Sequence, residues 1–145
     1  MKIGDVARRT RQIQQQDVEL FASMTGDRNP VHFDPELAAR SRFGGIVVQG
    51  GVTSGLLNAR VAQDLPGPGS VFLHTDWSYL APVRPGDVLT AEAVVLDLRS
   101  DKPISTLRTR SWNCMASTRT ASCGNSVTDS VASTMVPGPP SARRA

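Results

Sequence analysis

Asp27, Asn29 and His32 fall close together in "GDRNPVHFDP", and His32 is one of only two histidines in the chain. Pro30 keeps the connection between Asp27 and His32 from being helical throughout, and a bend there turns both side chains toward one point. A carboxyl and an imidazole converging on a single water form an acid–base pair. Imidazole titrates near neutral pH, and burial can raise a carboxyl so that it gives up a proton. Asn29 adds an amide able to orient either partner. The same residue types also build plain turns, because Asp and Asn ahead of proline bond their own backbone. His74, the other histidine, shares a strand face with Asp76 and has no comparable setting.

The flanking residues must position this bend. "QQQDVELFASMTG" sets Val18, Phe21 and Met24/Thr25 at helical spacing, with Gly26 as its stop. A second helix is expected over "PELAARSRF" (35–43), with Asp34 as N-cap, Pro35 in the first position and the glycines at 44–45 ending it. In "GGVTSGLLNARVAQDL", Val52, Leu56 and Ala59 lie on one side and Leu57, Val61 and Leu65 roughly opposite. Apolar residues on two sides predict a helix enclosed by protein. "PGPG" at 66–69 closes it.

From Ser70 the period changes to two. Val71, Leu73, Thr75, Trp77 and Tyr79 are expected on one strand face, with Trp77 and Tyr79 in the core. "APVRPGD" and "SDKP" read as turns around a long strand at 88–99, and extended structure resumes at 104–117 and 126–136. Residues 111–134 hold ten Ser/Thr and alternate poorly, so their register is open. Helix first and antiparallel sheet second is α+β order, satisfied by a long curved sheet around one central helix.

At 145 residues the chain is expected to form one domain over 1–137, with 138–145 as a disordered tail. The net charge of +3 is scattered and only 5% of residues are aromatic, which argues against nucleic acid as a partner. No segment approaches the roughly 18 apolar residues of a membrane span, and the N-terminus lacks a secretory apolar run. A cytoplasmic location is therefore expected. Cys114 and Cys123 fit neither a zinc site nor a CxxC pair, so free thiols are expected, with no metal and no cofactor.

"FASMTGDRNPVHFDPELAA" (21–39) closely resembles the hydratase signature of the MaoC-like dehydratases, the (R)-specific enoyl-CoA hydratases. In that signature an aromatic and a small residue precede G-D-x-N-P-apolar-H, and a small residue follows about six further on. Gly26, Asp27, Asn29, Pro30, Val31 and His32 all fit. "FGGIVVQGGVTSGLL" is similar to the family's loop into its central helix, "YLAPVRPGD" to its strand–turn–strand corner and "LRSDKPISTLRTR" to the following hairpin. The resemblance covers roughly residues 2–110.

It implies the hot-dog fold, a sheet wrapped around a long helix and paired in a homodimer. It also implies hydration of the trans-2 double bond of an acyl-CoA thioester to the (R)-3-hydroxyacyl-CoA, and the reverse reaction. By resemblance Asp27 and His32 are the catalytic pair, with acid and base unassigned, and Asn29 assists. Attack at C3 pushes charge onto the thioester oxygen, which a backbone N–H at a helix N-terminus can stabilise. Gly50 falls where the family places that donor, beside Gly51 and Gln49. Many relatives carry His where this chain has Gln49, which can hydrogen-bond but cannot carry a proton. Arg42, Arg84 and Lys102 are candidates for the CoA phosphates, and Leu56, Leu57, Val71 and Leu73 for the acyl pocket. An acyl-carrier-protein thioester is a second possible substrate. The competing readings are a hot-dog acyl-CoA thioesterase and a non-catalytic acyl-thioester-binding subunit.

Overall fold

The computed structural model describes residues 1–113 and 126–135; both cysteines and the expected tail lie outside them. In chain order the elements are β1 (Val6–Gln12), α1 (Gln15–Thr25), a 3-10 turn (Pro30–His32), α2 (Pro35–Arg40) and α3 (Gly50–Gln63). Four strands follow: β2 (Val71–Tyr79), β3 (Val88–Leu98), β4 (Ile104–Asn113) and β5 (Ser126–Met135).

The helix boundaries follow local chemistry. A capping box opens α1: the Gln14 N–H donates to the Asp17 carboxylate at 2.9 Å. Gly26 closes it at φ +81°, a left-handed conformation that glycine adopts without steric cost, and its N–H returns to the Ala22 carbonyl. Asp34 caps α2 by accepting from the Glu36 and Leu37 N–H groups, with Pro35 next. That helix stops at Arg40, short of the expected Phe43. Ser41 turns extended, and its hydroxyl donates to the Ala38 carbonyl at 2.6 Å, a local bond that competes with continuing the helix.

All four strand pairings are antiparallel, in the order β1-β3-β4-β5-β2. β2 pairs with the last strand rather than with the next one, so the segment after Tyr79 is a crossover and not a hairpin turn. β1 was not anticipated. "VARRTRQ" has almost no apolar alternation, and the strand is held by pairing with β3 from Val6↔Val94 to Gln12↔Val88. A 2.6 Å Arg8–Glu92 ion pair and a 2.8 Å Thr10–Thr90 bond add cross-strand contacts.

The expected β2 face needs correction. A bulge between Phe72 and His74 breaks the alternation, so Phe72, Thr75 and Trp77 are half-buried while Val71, Leu73 and Tyr79 are exposed. The enclosed central helix is as expected. Val52 and Leu56 pack on a cluster of Ile13, Val18, Val48, Val83, Leu89 and Val127. On the other side Val61 and Leu65 join Ala93, Val95 and Leu107. Among the described residues, no helix is long and apolar enough to cross a membrane.

Candidate active site

The bend after α1 is a relay of side-chain-to-backbone bonds. The Asp27 Oδ1 accepts from the Asn29 N–H at 3.2 Å, and the Asn29 Oδ1 accepts from the Val31 N–H at 3.3 Å, capping the 3-10 turn. Turn bonding therefore occupies only part of the Asp27 carboxylate. One carboxylate oxygen of Asp27 shapes the chain, while its Oδ2 lies 3.7 Å from the His32 Nε2.

That distance is too long for a direct hydrogen bond but lets one water contact both groups. The imidazole is largely buried at 12% side-chain exposure, and the carboxylate is open at 40%. The His32 Nδ1 lies 2.7 Å from the Val47 carbonyl oxygen. A carbonyl only accepts, so Nδ1 carries a proton, and in the neutral ring the lone pair is on Nε2, the nitrogen nearer Asp27. Sequence reasoning missed this partner, because a backbone carbonyl has no residue-type signal. A 3.3 Å bond from the Val47 N–H to the Val31 carbonyl holds the two segments together.

His32 faces a cavity of about 560 Å³, which Asn29, Arg42, Gly50, Gly51 and Thr53 also line. Asp27 flanks His32 outside that lining. The crossover residues Ala81, Pro82 and Val83 form a wall, fixed by the Val48 N–H donating to the Val83 carbonyl at 2.8 Å. α3 points its N-terminus into this space. The Val52 N–H bonds back to the Gln49 carbonyl at 3.0 Å, so the Gly50 and Gly51 N–H groups precede the intrahelical ladder. Both glycines lie close against aromatic rings. A Cβ on Gly50 would lie 2.8 Å from the Tyr79 ring, and one on Gly51 would lie 2.1 Å from the Phe21 ring. Tyr79 is thus a cavity residue, 55% exposed, and not the core residue expected from strand alternation.

Gln49 is 1% exposed and lies outside the cavity lining. Its Nε2 donates to the Val18 carbonyl at 3.2 Å and reaches the Asp27 carbonyl at 3.5 Å, tying the start of α3 to α1 and to the bend at Asp27. Of the three candidate phosphate ligands, Arg42 is the one that lines the cavity, with its guanidinium 4.9 Å from the Phe43 ring centroid. Arg84 instead donates to the Phe43 and Ile46 carbonyls at 2.5 and 3.3 Å, clamping the loop before α3. Lys102 sits at a separate hollow beside Met1 and Arg99. Leu56, Leu57, Val71 and Leu73 do not line this cavity: Leu57 is fully buried and the two β2 residues face solvent. The His74–Asp76 pair, at 3.2 Å, is exposed on β2.

Residues 3–112 match the MaoC like domain. The chain belongs to this family. The (R)-specific enoyl-CoA hydratase of Aeromonas caviae is 40% identical over 110 residues, which is 76% of this chain and 82% of that protein. The solved structure described as an (R)-hydratase from A. caviae involved in PHA biosynthesis superposes with a TM-score of 0.84 at 34% identity, covering 94% of this chain and 98% of that one. The R-hydratase PhaJ1 from Pseudomonas aeruginosa gives 0.83 at 34% identity, covering 96% and 84%. The helix-wrapped sheet of this MaoC-like chain is the expected hot-dog fold.

Proposed function

We propose that this MaoC-like chain is a lyase that hydrates trans-2-enoyl thioesters to (R)-3-hydroxyacyl thioesters, reversibly, with CoA or an acyl carrier protein as the thiol. One observation carries the reading. The Nε2 lone pair of His32 and the Asp27 carboxyl share a 3.7 Å gap beside a cavity into which α3 directs its first N–H groups.

His32 and Asp27 hold the water. As the water oxygen bonds to C3, Nε2 takes its proton, since the Val47 carbonyl holds the other ring proton on Nδ1. The electron pair of the double bond moves toward the thioester oxygen, where the Gly50 N–H stabilises the enolate with support from the helix N-terminus. The proton on Nε2 passes to the Asp27 carboxylate, which delivers it to C2, so both groups end as they began. The net change is addition of one water. Asn29 supports the carboxylate through its N–H, Gly51 leaves room for the Phe21 ring, and Gln49 keeps the Asp27 backbone in place. Arg42, at the cavity, is positioned to meet a CoA phosphate.

A spectrophotometric assay with enoyl-CoA tests this reading. The enoyl absorbance is expected to fall without release of thiol. Thiol release would instead indicate a thioesterase, and no change in either signal a binding subunit.

The site is expected to work in a homodimer. β2 is an edge of the sheet and exposes Val71, Leu73 and Tyr79, with Leu80 just beyond it, and an open edge of this kind invites a second strand. Light scattering is expected to return twice the 15.5 kDa chain mass, and a monomer mass would remove this part of the reading.

A further inference from the structure

Away from the catalytic cavity, α3 and β1 enclose a second hollow of about 150 Å³, lined by Arg9, Arg11, Leu56, Ala59, Arg60, Gln63 and Ala91. Its space comes from two small residues, Ala59 on the helix and Ala91 on the sheet. Its chemistry comes from three arginines. Arg9 and Arg11 are two apart on β1 and so share a face, with Arg9 directly opposite Ala91 in the ladder.

Arg60 carries the argument. It lies inside a helix with its side chain 4% exposed, and charged side chains are almost never that buried unless they are paired. A guanidinium has five N–H donors in a planar fork. Among the described residues its one side-chain partner is Asp64, a turn later on the same helix, and its remaining donors are accessible from the hollow that it lines. Arg11 is paired with Asp17. The Arg9 side chain has no hydrogen-bond or ion-pair partner among the described residues. Three guanidinium groups therefore face two carboxylates, with donor capacity to spare and Gln63 adding an amide. A group that matches this excess of guanidinium donors around one hollow is an anion with several acceptor oxygens.

We propose that this hollow is a binding site for one compact oxyanion of the phosphate class, distinct from the catalytic cavity. A volume of 150 Å³ takes a tetrahedral oxyanion with a little water and is too small for a whole nucleotide. Arg60 is ten residues beyond Gly50 on α3, which is about 15 Å along the axis. Bound there, the anion would bridge β1 to the central helix and stabilise the fold without touching the acyl thioester. The chemistry is shared by free inorganic phosphate and by a phosphate group of bound CoA, and the site is assigned to the free anion.

The test follows thermal unfolding of the full chain in inorganic phosphate, with ionic strength held constant by chloride. A saturable rise in Tm is expected, about 5 °C or more at roughly a hundred times the dissociation constant. The His32→Gln variant should keep the rise. Arg9→Gln, at an exposed position whose side chain has no bonding partner among the described residues, should lose most of it. A rise that chloride reproduces, or one that Arg9→Gln retains, overturns the site. Enoyl-CoA kinetics separate the two sources. An unchanged KM in Arg9→Gln supports the free anion, whereas a raised KM at constant kcat assigns the phosphate to the substrate and overturns the site's independence. The unfolding measurements need no turnover, so they stand or fall apart from the hydratase reading.

Discussion

Replacing Asp27 by asparagine or His32 by glutamine should lower kcat at least about a hundredfold while leaving Tm nearly unchanged. The geometry separates the two effects. In Asp27→Asn the side-chain carbonyl still accepts from the Asn29 N–H, so the turn survives, but the group facing the His32 Nε2 can no longer cycle a carboxyl proton. In His32→Gln the amide can still donate to the Val47 carbonyl, yet no basic lone pair remains to take the proton from water. Steady-state kinetics beside thermal denaturation measures both. A variant that turns over at the wild-type rate takes its residue out of the mechanism, and a variant that unfolds makes the bend structural.

Leu57→Ala is expected to cost about 2–5 kcal/mol, the range for truncating a buried leucine where the surroundings cannot collapse into the space. Leu57 is 0% exposed on the helix that the sheet wraps, so truncation leaves the void inside the protein. For a domain with about 5–15 kcal/mol of total stability, that loss is a large share. Urea denaturation at fixed protein concentration checks it, with an unchanged m-value showing that the folded architecture is kept. A loss under about 1 kcal/mol would mean that the helix is less enclosed than its two packed sides indicate.

Some features of the site were legible in the chain because their causes are local. Gly26 ends α1, Asp34 and Pro35 start α2, and Asn29 caps the short turn carrying His32. Each depends on contacts within a few residues, so residue type and spacing were enough. The two apolar sides of α3 were equally readable, since a helix wrapped by protein needs both. β1 was not. Its residues are mostly charged or polar, and pairing with β3 across the ladder gives it strand structure. β2 misled for a related reason: one bulge reverses which side chains face inward, and strict alternation has no signal for it.

The sequence by itself determined the bend, the Gly26 stop, the starts of α2 and α3, the enclosed central helix and the pairing of a carboxyl with an imidazole, because these follow from local backbone chemistry and side-chain periodicity. Only the tertiary structure decided that the Val47 carbonyl sets the His32 tautomer and that Gln49 is bonded to the Asp27 backbone. It also took Arg84 and Lys102 away from the cavity, brought Tyr79 over Gly50, and buried Arg60 beside Arg9 and Arg11. These meetings join residues far apart in the chain, set by how the crossover, α3 and the sheet pack together, and no run of neighbouring residues encodes that packing.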